Sequence, residues 1–244
     1  MSARETFDQI LCDTFLVTGF SSFSALMAIH ADYSARNPGC RVILTLDDRD
    51  QLEYMAVHSS QSHELTDYSE FDEALSELSP MPAEFFNERL HRFLVKAADA
   101  NFKAACDSGL QLEEDEHYVL SAFAEDPLQF MDDEVAMIIV PNSDAAVGFC
   151  VLPVGYFAGD LGPFENYAIA RHFEAAYGYR LIGIGTCMLG FWREDDLSDE
   201  LINALVNDLA MLYHCKDISD FSDVMTAIIR DNKHLFIKYA ESIE

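Results

Sequence analysis

Thr14-Phe-Leu-Val-Thr-Gly-Phe20 and Arg41-Val-Ile-Leu-Thr-Leu46 bracket a helical stretch, and the reading of residues 14–46 decides the fold class. Both ends are apolar, rich in β-branched residues and bounded by Gly, Pro or Asp, as strands are. Between them Ser21 or Ser22 can cap a helix running to Arg36, with Phe23, Leu26, Met27 and His30 on one face. Asn37-Pro38-Gly39 stops it. The unit is strand–helix–strand, and a parallel pairing of its two strands is one way to close it.

Working outward, residues 82–108 predict a helix, with Pro82 in the first turn and Gly109 just past the end. Phe86, Leu90, Phe93, Leu94, Ala97 and Ala105 share its apolar side. Arg89, Arg92, Lys96 and Lys103 fall on the opposite side, with Glu88–Arg92, Asp99–Lys103 and Lys103–Asp107 as i,i+4 pairs. That pattern reads as a solvated helix laced with ion pairs, and alternatively as a basic binding stripe. A shorter helix is expected over 113–126, with Tyr118, Leu120 and Phe123 inward. Strands are expected over 135–140 and 146–153, joined by the turn Pro141-Asn-Ser-Asp144. Gly162-Pro163 opens a helix over 164–177 that Gly178 closes, and residues 179–192 read as a strand or hairpin. Ser198 caps a helix carrying Leu201, Ile202, Leu205, Val206, Leu209 and Leu212, and residues 220–230 and 233–241 supply closing helices. The fold expected is α+β: a mixed β-sheet flanked by amphipathic helices, with a helical C-terminus. Residues 1–130 form an acidic N-terminal α/β region and 131–244 a C-terminal α+β region, separate or packed as one domain.

The chain has 244 residues, 43 Asp and Glu against 15 Lys and Arg, and a formal net charge of −28. Half of it is hydrophobic, which excludes a disordered acidic tail. The charge argues against a grip on nucleic-acid phosphates and against an anionic membrane surface. No uncharged apolar run approaches the ~18 residues of a membrane span, and the N-terminus lacks the basic-then-apolar order of a signal peptide. Six scattered cysteines without C-x-x-C spacing read as reduced thiols, so a cytoplasmic location is expected. Residues 61–135 carry 19 acids and 4 bases, a net of −15, whereas 136–192 carry 4 and 2, a net of −2. The neutral stretch reads as scaffold and the acidic one as a solvated, partner-facing surface.

Few residues suggest chemistry. Asp47, Asp48 and Asp50 follow a strand at its carboxyl end, where open sheets place ligands and where clustered carboxylates suit Mg²⁺ or Mn²⁺. Asp is equally the ordinary residue for leaving a strand. Gly183-Ile-Gly185 lacks the third glycine of a dinucleotide loop, and glycines in a strand serve a bulge or a close backbone approach. Gly19-Phe-Ser21-Ser-Phe23 fails the nucleophile elbow. His58 and His63, and His214 beside Cys215, fail zinc spacing. No motif implies a cofactor.

Residues 152–217 run Leu152-Pro-Val-Gly155, then Gly162-Pro-Phe164 opening a helix that ends Tyr177-Gly-Tyr179, then Leu181-Ile-Gly-Ile-Gly185-Thr-Cys187. An aliphatic helix closes in Leu212-Tyr-His-Cys-Lys-Asp217. This order resembles a bacterial family known as domain of unknown function four-two-five-three, whose members combine a Pro-x-Gly turn, a helix ending in Tyr-Gly, and an acidic helix closing in an aromatic-Cys-Pro-Asp signature. Lys216 stands where that signature has Pro, Phe173 where Trp is frequent, and Cys187 where the strand end is often acidic. The resemblance implies no established activity. It implies a small acidic protein of a kind found beside polymorphic toxins as the partner that blocks them.

Binding is therefore the function expected. An immunity-, antitoxin- or counter-defence-like inhibitor would set its acidic face on a basic toxin or nuclease, complementary charge speeding encounter. The contacts expected are Asp67, Glu70, Asp72, Glu73, Glu77, Glu113, Glu114, Asp115 and Glu116, with Tyr68 and Phe71 as aromatic anchors. Solubility alone also accounts for any one of these acids. The alternatives are a DNA mimic, a metal-dependent enzyme using Asp47, Asp48 and Asp50, and an acid-rich proteome, which 18 Phe, 9 Met and 6 Cys fit poorly.

Overall fold

The structure, a computed structural model, describes residues 12–65, 83–113, 116–215 and 218–240. Six strands form one mixed sheet: β1 (Asp13–Thr18), β2 (Arg41–Thr45), β3 (Glu134–Val140), β4 (Arg180–Ile184), β5 (Met188–Trp192) and β6 (His234–Lys238). Their order is β1-β3-β2-β4-β5-β6, with β2 and β4 parallel and every other pair antiparallel. β1 and β2 do run in the same direction, but β3 lies between them and pairs with both. β3 is buried from Val135 to Val140, the continuous apolar run of a strand covered on both faces.

Helices cover both faces. Phe191 lies opposite Leu235, and Gly190 opposite Phe236, so Phe191 and Phe236 project to opposite sides of the sheet. Phe236 meets Phe23 of α1 (Phe23–Arg36) at 5.9 Å and Phe123 of the 116–125 helix at 6.1 Å. Phe191 meets Phe173 of the 163–177 helix at 5.4 Å on the other side. Ser22 caps α1 by accepting from the Ala25 N–H, and α2 (Arg49–Ser62) follows β2 directly. Strands from residues 1–130 and from 131–244 thus share one sheet and one continuous apolar core. None of the described helices is long and apolar enough to cross a membrane.

Three elements differ from expectation. The 82–108 helix is broken into α3 (Ala83–Lys96) and α4 (Phe102–Cys106), because Asn101 caps the second piece by accepting from Ala104 N–H. Arg89 leaves the expected solvent arc: it is buried and donates to the Cys150 carbonyl at 2.6 Å and to Ser60 Oγ at 2.5 Å. Glu88–Arg92 and Lys103–Asp107 pair as expected. Residues 145–151 form a 3₁₀ turn and a short helix, α6 (Gly148–Val151), in place of a strand. A Cβ on Gly148 would stand 3.1 Å from the Ile43 side chain, so a residue without one lets this segment lie against the sheet face. α5 (Glu116–Glu125) and α7 (Pro163–Tyr177) match their expected positions, and Gly178 closes α7 at φ 72°.

The C-terminal helix expected over 233–241 is instead β6, buried from Leu235 to Lys238. An apolar run this short carries no period that separates strand from helix. α8 (Asp199–Leu212) and α9 (Ile218–Asp231) precede it, and Arg193 fastens α9 to the end of β5 through the carbonyls of Ile229 and Asn232, 2.6 and 3.0 Å away. After α8, the Tyr213 hydroxyl accepts from Lys238 N–H at 2.8 Å and donates to the Lys238 carbonyl at 3.0 Å, on the last strand of the sheet.

Candidate partner-binding surface

Asp67, Tyr68, Glu70, Phe71, Asp72, Glu73, Glu77, Glu114 and Asp115 lie outside the described residues. Glu113 is exposed, and its N–H donates to Glu116 Oε2 at 2.7 Å. Glu116 itself departs from the expected surface run. It is buried, and both its oxygens accept from Lys238 Nζ, at 2.6 and 2.5 Å. It pins α5 to β6 and is turned away from any partner.

The surplus of acids is compositional, 43 against 15 bases, and the described bases are mostly paired within the chain. At least eleven of the 13 described Lys and Arg side chains stand within 4.0 Å of a carboxylate. Arg89 is turned inward, and Arg171 lies 5.5 Å from the Tyr167 ring centroid. Meanwhile Glu125, Asp126, Asp133, Glu134, Asp195 and Asp223 stand exposed. The described bases are spent internally, so the field reaching solvent is negative.

The Asp47 corner is built as a strap. Asp47 accepts from the Thr186 N–H at 2.6 Å and from Thr186 Oγ1 at 3.0 Å, tying the end of β2 to the β4–β5 turn. A Cβ on Gly185 would lie 2.4 Å from Asp47 Oδ1, which explains the second glycine of Gly183-Ile-Gly185. The first makes room for Leu46, whose Cδ2 would be 2.4 Å from a Cβ there, and the ladder is irregular at that point. Asp48 caps α2 by accepting from Gln51 N–H, at φ 23°, and Asp50 is exposed with Arg49 at 3.6 Å. The three carboxylates therefore serve three separate tasks. Among the described residues no group of three His, Cys, Asp or Glu is placed to hold a metal ion. Burial pushes the neighbouring Cys187 thiol up to about 12 and Cys150 to about 11, which disfavours thiolates.

Burial also raises the Asp47 carboxyl above its ordinary value of 3.8, although the Thr186 donors pull it down. Sign follows directly: as pH rises past the ordinary value the unfolded chain ionises first, so ionisation of Asp47 costs stability above that range. Asp47→Asn keeps an acceptor for Thr186 and is expected to gain on the wild type between pH 4 and pH 7 in urea unfolding. Asp47→Ala orphans the Thr186 N–H and is expected to lose about 1–3 kcal/mol. Equal stability of the two variants would remove the strap.

A groove of about 280 Å³ opens between α1 and strands β2, β4 and β5, with Trp192 in its wall. Its two arginines are already engaged, Arg41 by Glu174 at 2.8 Å and Arg180 by Glu174 and Glu194 at 3.5 and 3.4 Å.

Exposed aromatic surface concentrates elsewhere. Tyr54, Tyr156 and Phe157 are 52%, 40% and 48% exposed, and they cluster around His58. Ring centroids lie 4.2 Å apart for Tyr54–His58, 5.1 Å for His58–Tyr156 and 5.5 Å for Tyr156–Phe157. Tyr54 and His58 are one turn apart on α2, and Gly155 at φ 83° turns the chain that presents the other two. Sequence reasoning considered His58 only as a metal ligand and passed over the others. The available signal was the i,i+4 Tyr-His pair together with two adjacent aromatics in a glycine-bounded turn.

No protein-family model, curated protein or solved structure matches this chain.

Proposed function

We propose that the protein acts by binding: a cytoplasmic inhibitor of immunity, antitoxin or counter-defence type that docks an acidic face on a basic protein such as a nucleic-acid-acting toxin or nuclease. The observation that carries this reading is the internal use of the described bases, which leaves exposed carboxylates to set the field a partner meets. Such a field raises the encounter rate with a positive cleft and repels like-charged competitors. The stretch with a net of −15 over residues 61–135 is where the strongest attraction is expected.

The test is expression beside the neighbouring genes followed by purification at low salt. A 1:1 complex with a basic protein, dissociating as ionic strength rises, is the expected result. Copurification of nothing, or a complex indifferent to salt, would count against the proposal. Equal inhibition of unrelated DNA-binding proteins would point instead to imitation of duplex phosphates.

A further inference from the structure

We infer that the Tyr54–His58–Tyr156–Phe157 cluster is the docking site for an arginine-rich segment of a protein partner. The inference rests on the inhibitor reading and names the surface and the chemistry that reading leaves open.

Four described aromatic side chains count as exposed, and three of them are in this one cluster. The fourth, Tyr118, is engaged, its hydroxyl donating to Asp220 at 3.0 Å. Among the described residues no hydrogen bond holds the Tyr54 or Tyr156 hydroxyl. Clustered aromatics left open to solvent are the composition of an interface core, where Tyr supplies large contact area at low entropic cost.

Charge selects the occupant. Asp50, with 88% of its side chain exposed, sits one turn before Tyr54 on α2 and sets a carboxylate at the edge of the patch. A cation over an aromatic face beside a carboxylate is held twice, by the ring quadrupole and by Coulomb attraction. The planar guanidinium stacks on such rings while its edge pairs with a carboxylate, and an ammonium does this less well. The patch therefore fits arginine better than lysine, and both better than a neutral segment.

The full chain is titrated calorimetrically at low ionic strength with nine-residue oligoarginine and oligolysine peptides. Wild type is expected to bind oligoarginine about fivefold more tightly than oligolysine, the value of two exposed ring contacts. The Tyr54→Ala/Tyr156→Ala variant should bind both peptides alike, with a native circular-dichroism spectrum because both side chains are only half packed. Asp195→Asn, away from the patch, should leave the arginine preference intact. Equal binding of the two peptides by wild type, or a preference that survives in the double variant, would overturn the aromatic site while leaving the inhibitor reading standing. Failure of wild type to bind either peptide sinks both. A wild-type dimer in sedimentation that the double variant abolishes would replace the arginine-rich partner by a second copy of this chain.

Discussion

Lys238→Met is expected to lower the unfolding free energy by about 3–5 kcal/mol, the cost of removing one member of a buried ion pair. The Lys238 side chain is fully buried, and its ammonium is shared between both Glu116 oxygens and the Gln111 carbonyl at 3.2 Å. Methionine preserves the volume but leaves the Glu116 carboxylate in place with the Glu113 N–H as its remaining donor. Adding Glu116→Gln removes the orphaned charge and keeps an acceptor for Glu113. The double variant should therefore recover most of the loss, giving a coupling well above the error of urea unfolding. Additive single and double effects would show that the pair contributes nothing as a pair.

Gly155→Ala should cost about 3 kcal/mol and lower the melting temperature by about 6–12 °C. A Cβ at this position would stand 1.9 Å from the Leu161 carbonyl oxygen, and φ is 83°. That carbonyl cannot step back freely, because it accepts from the buried Asn166 Nδ2 at 2.8 Å, while Leu161 N–H donates to the Tyr239 carbonyl at 2.8 Å. Gly109 is the internal control: φ is 88° with nothing within 4 Å of its Cβ position, so Gly109→Ala pays only the left-handed penalty of about 1 kcal/mol. Equal losses by calorimetry would refute the close contact. Because Gly155 presents Tyr156 and Phe157, the alanine variant should also lose the arginine preference.

Local rules made much of the fold legible. Ser22, Ser198, Pro163 and Gly178 bound their helices as capping chemistry dictates. β1, β2 and β3 announced themselves by long β-branched runs between breakers. Misreadings came where a nonlocal partner decides the state. Residues 145–151 are as apolar as a strand, and the close approach of Gly148 to Ile43 and Leu181 that goes with their coiling exists only in space. β6 is too short to show a period, and it becomes a strand because β5 offers it an edge. Glu116 and Lys238 are far apart in the chain, so an acid in a four-residue acidic run could not be told from its solvated neighbours. The aromatic cluster was hidden for the same reason, since α2 and the Gly155 turn meet only in space.

The Tyr213 hydroxyl occupies both backbone groups of Lys238 on the outermost strand. A strand with its polar groups bare is a template on which another chain can extend a sheet. Here one phenol fills, at that residue, the place a further strand would take. Both residues are buried, so the strand's free backbone groups at this point are satisfied inside the protein rather than left to a further strand. Tyr213→Phe would keep the ring in the core and strip both Lys238 backbone groups of that partner, a loss of about 1–3 kcal/mol in urea unfolding.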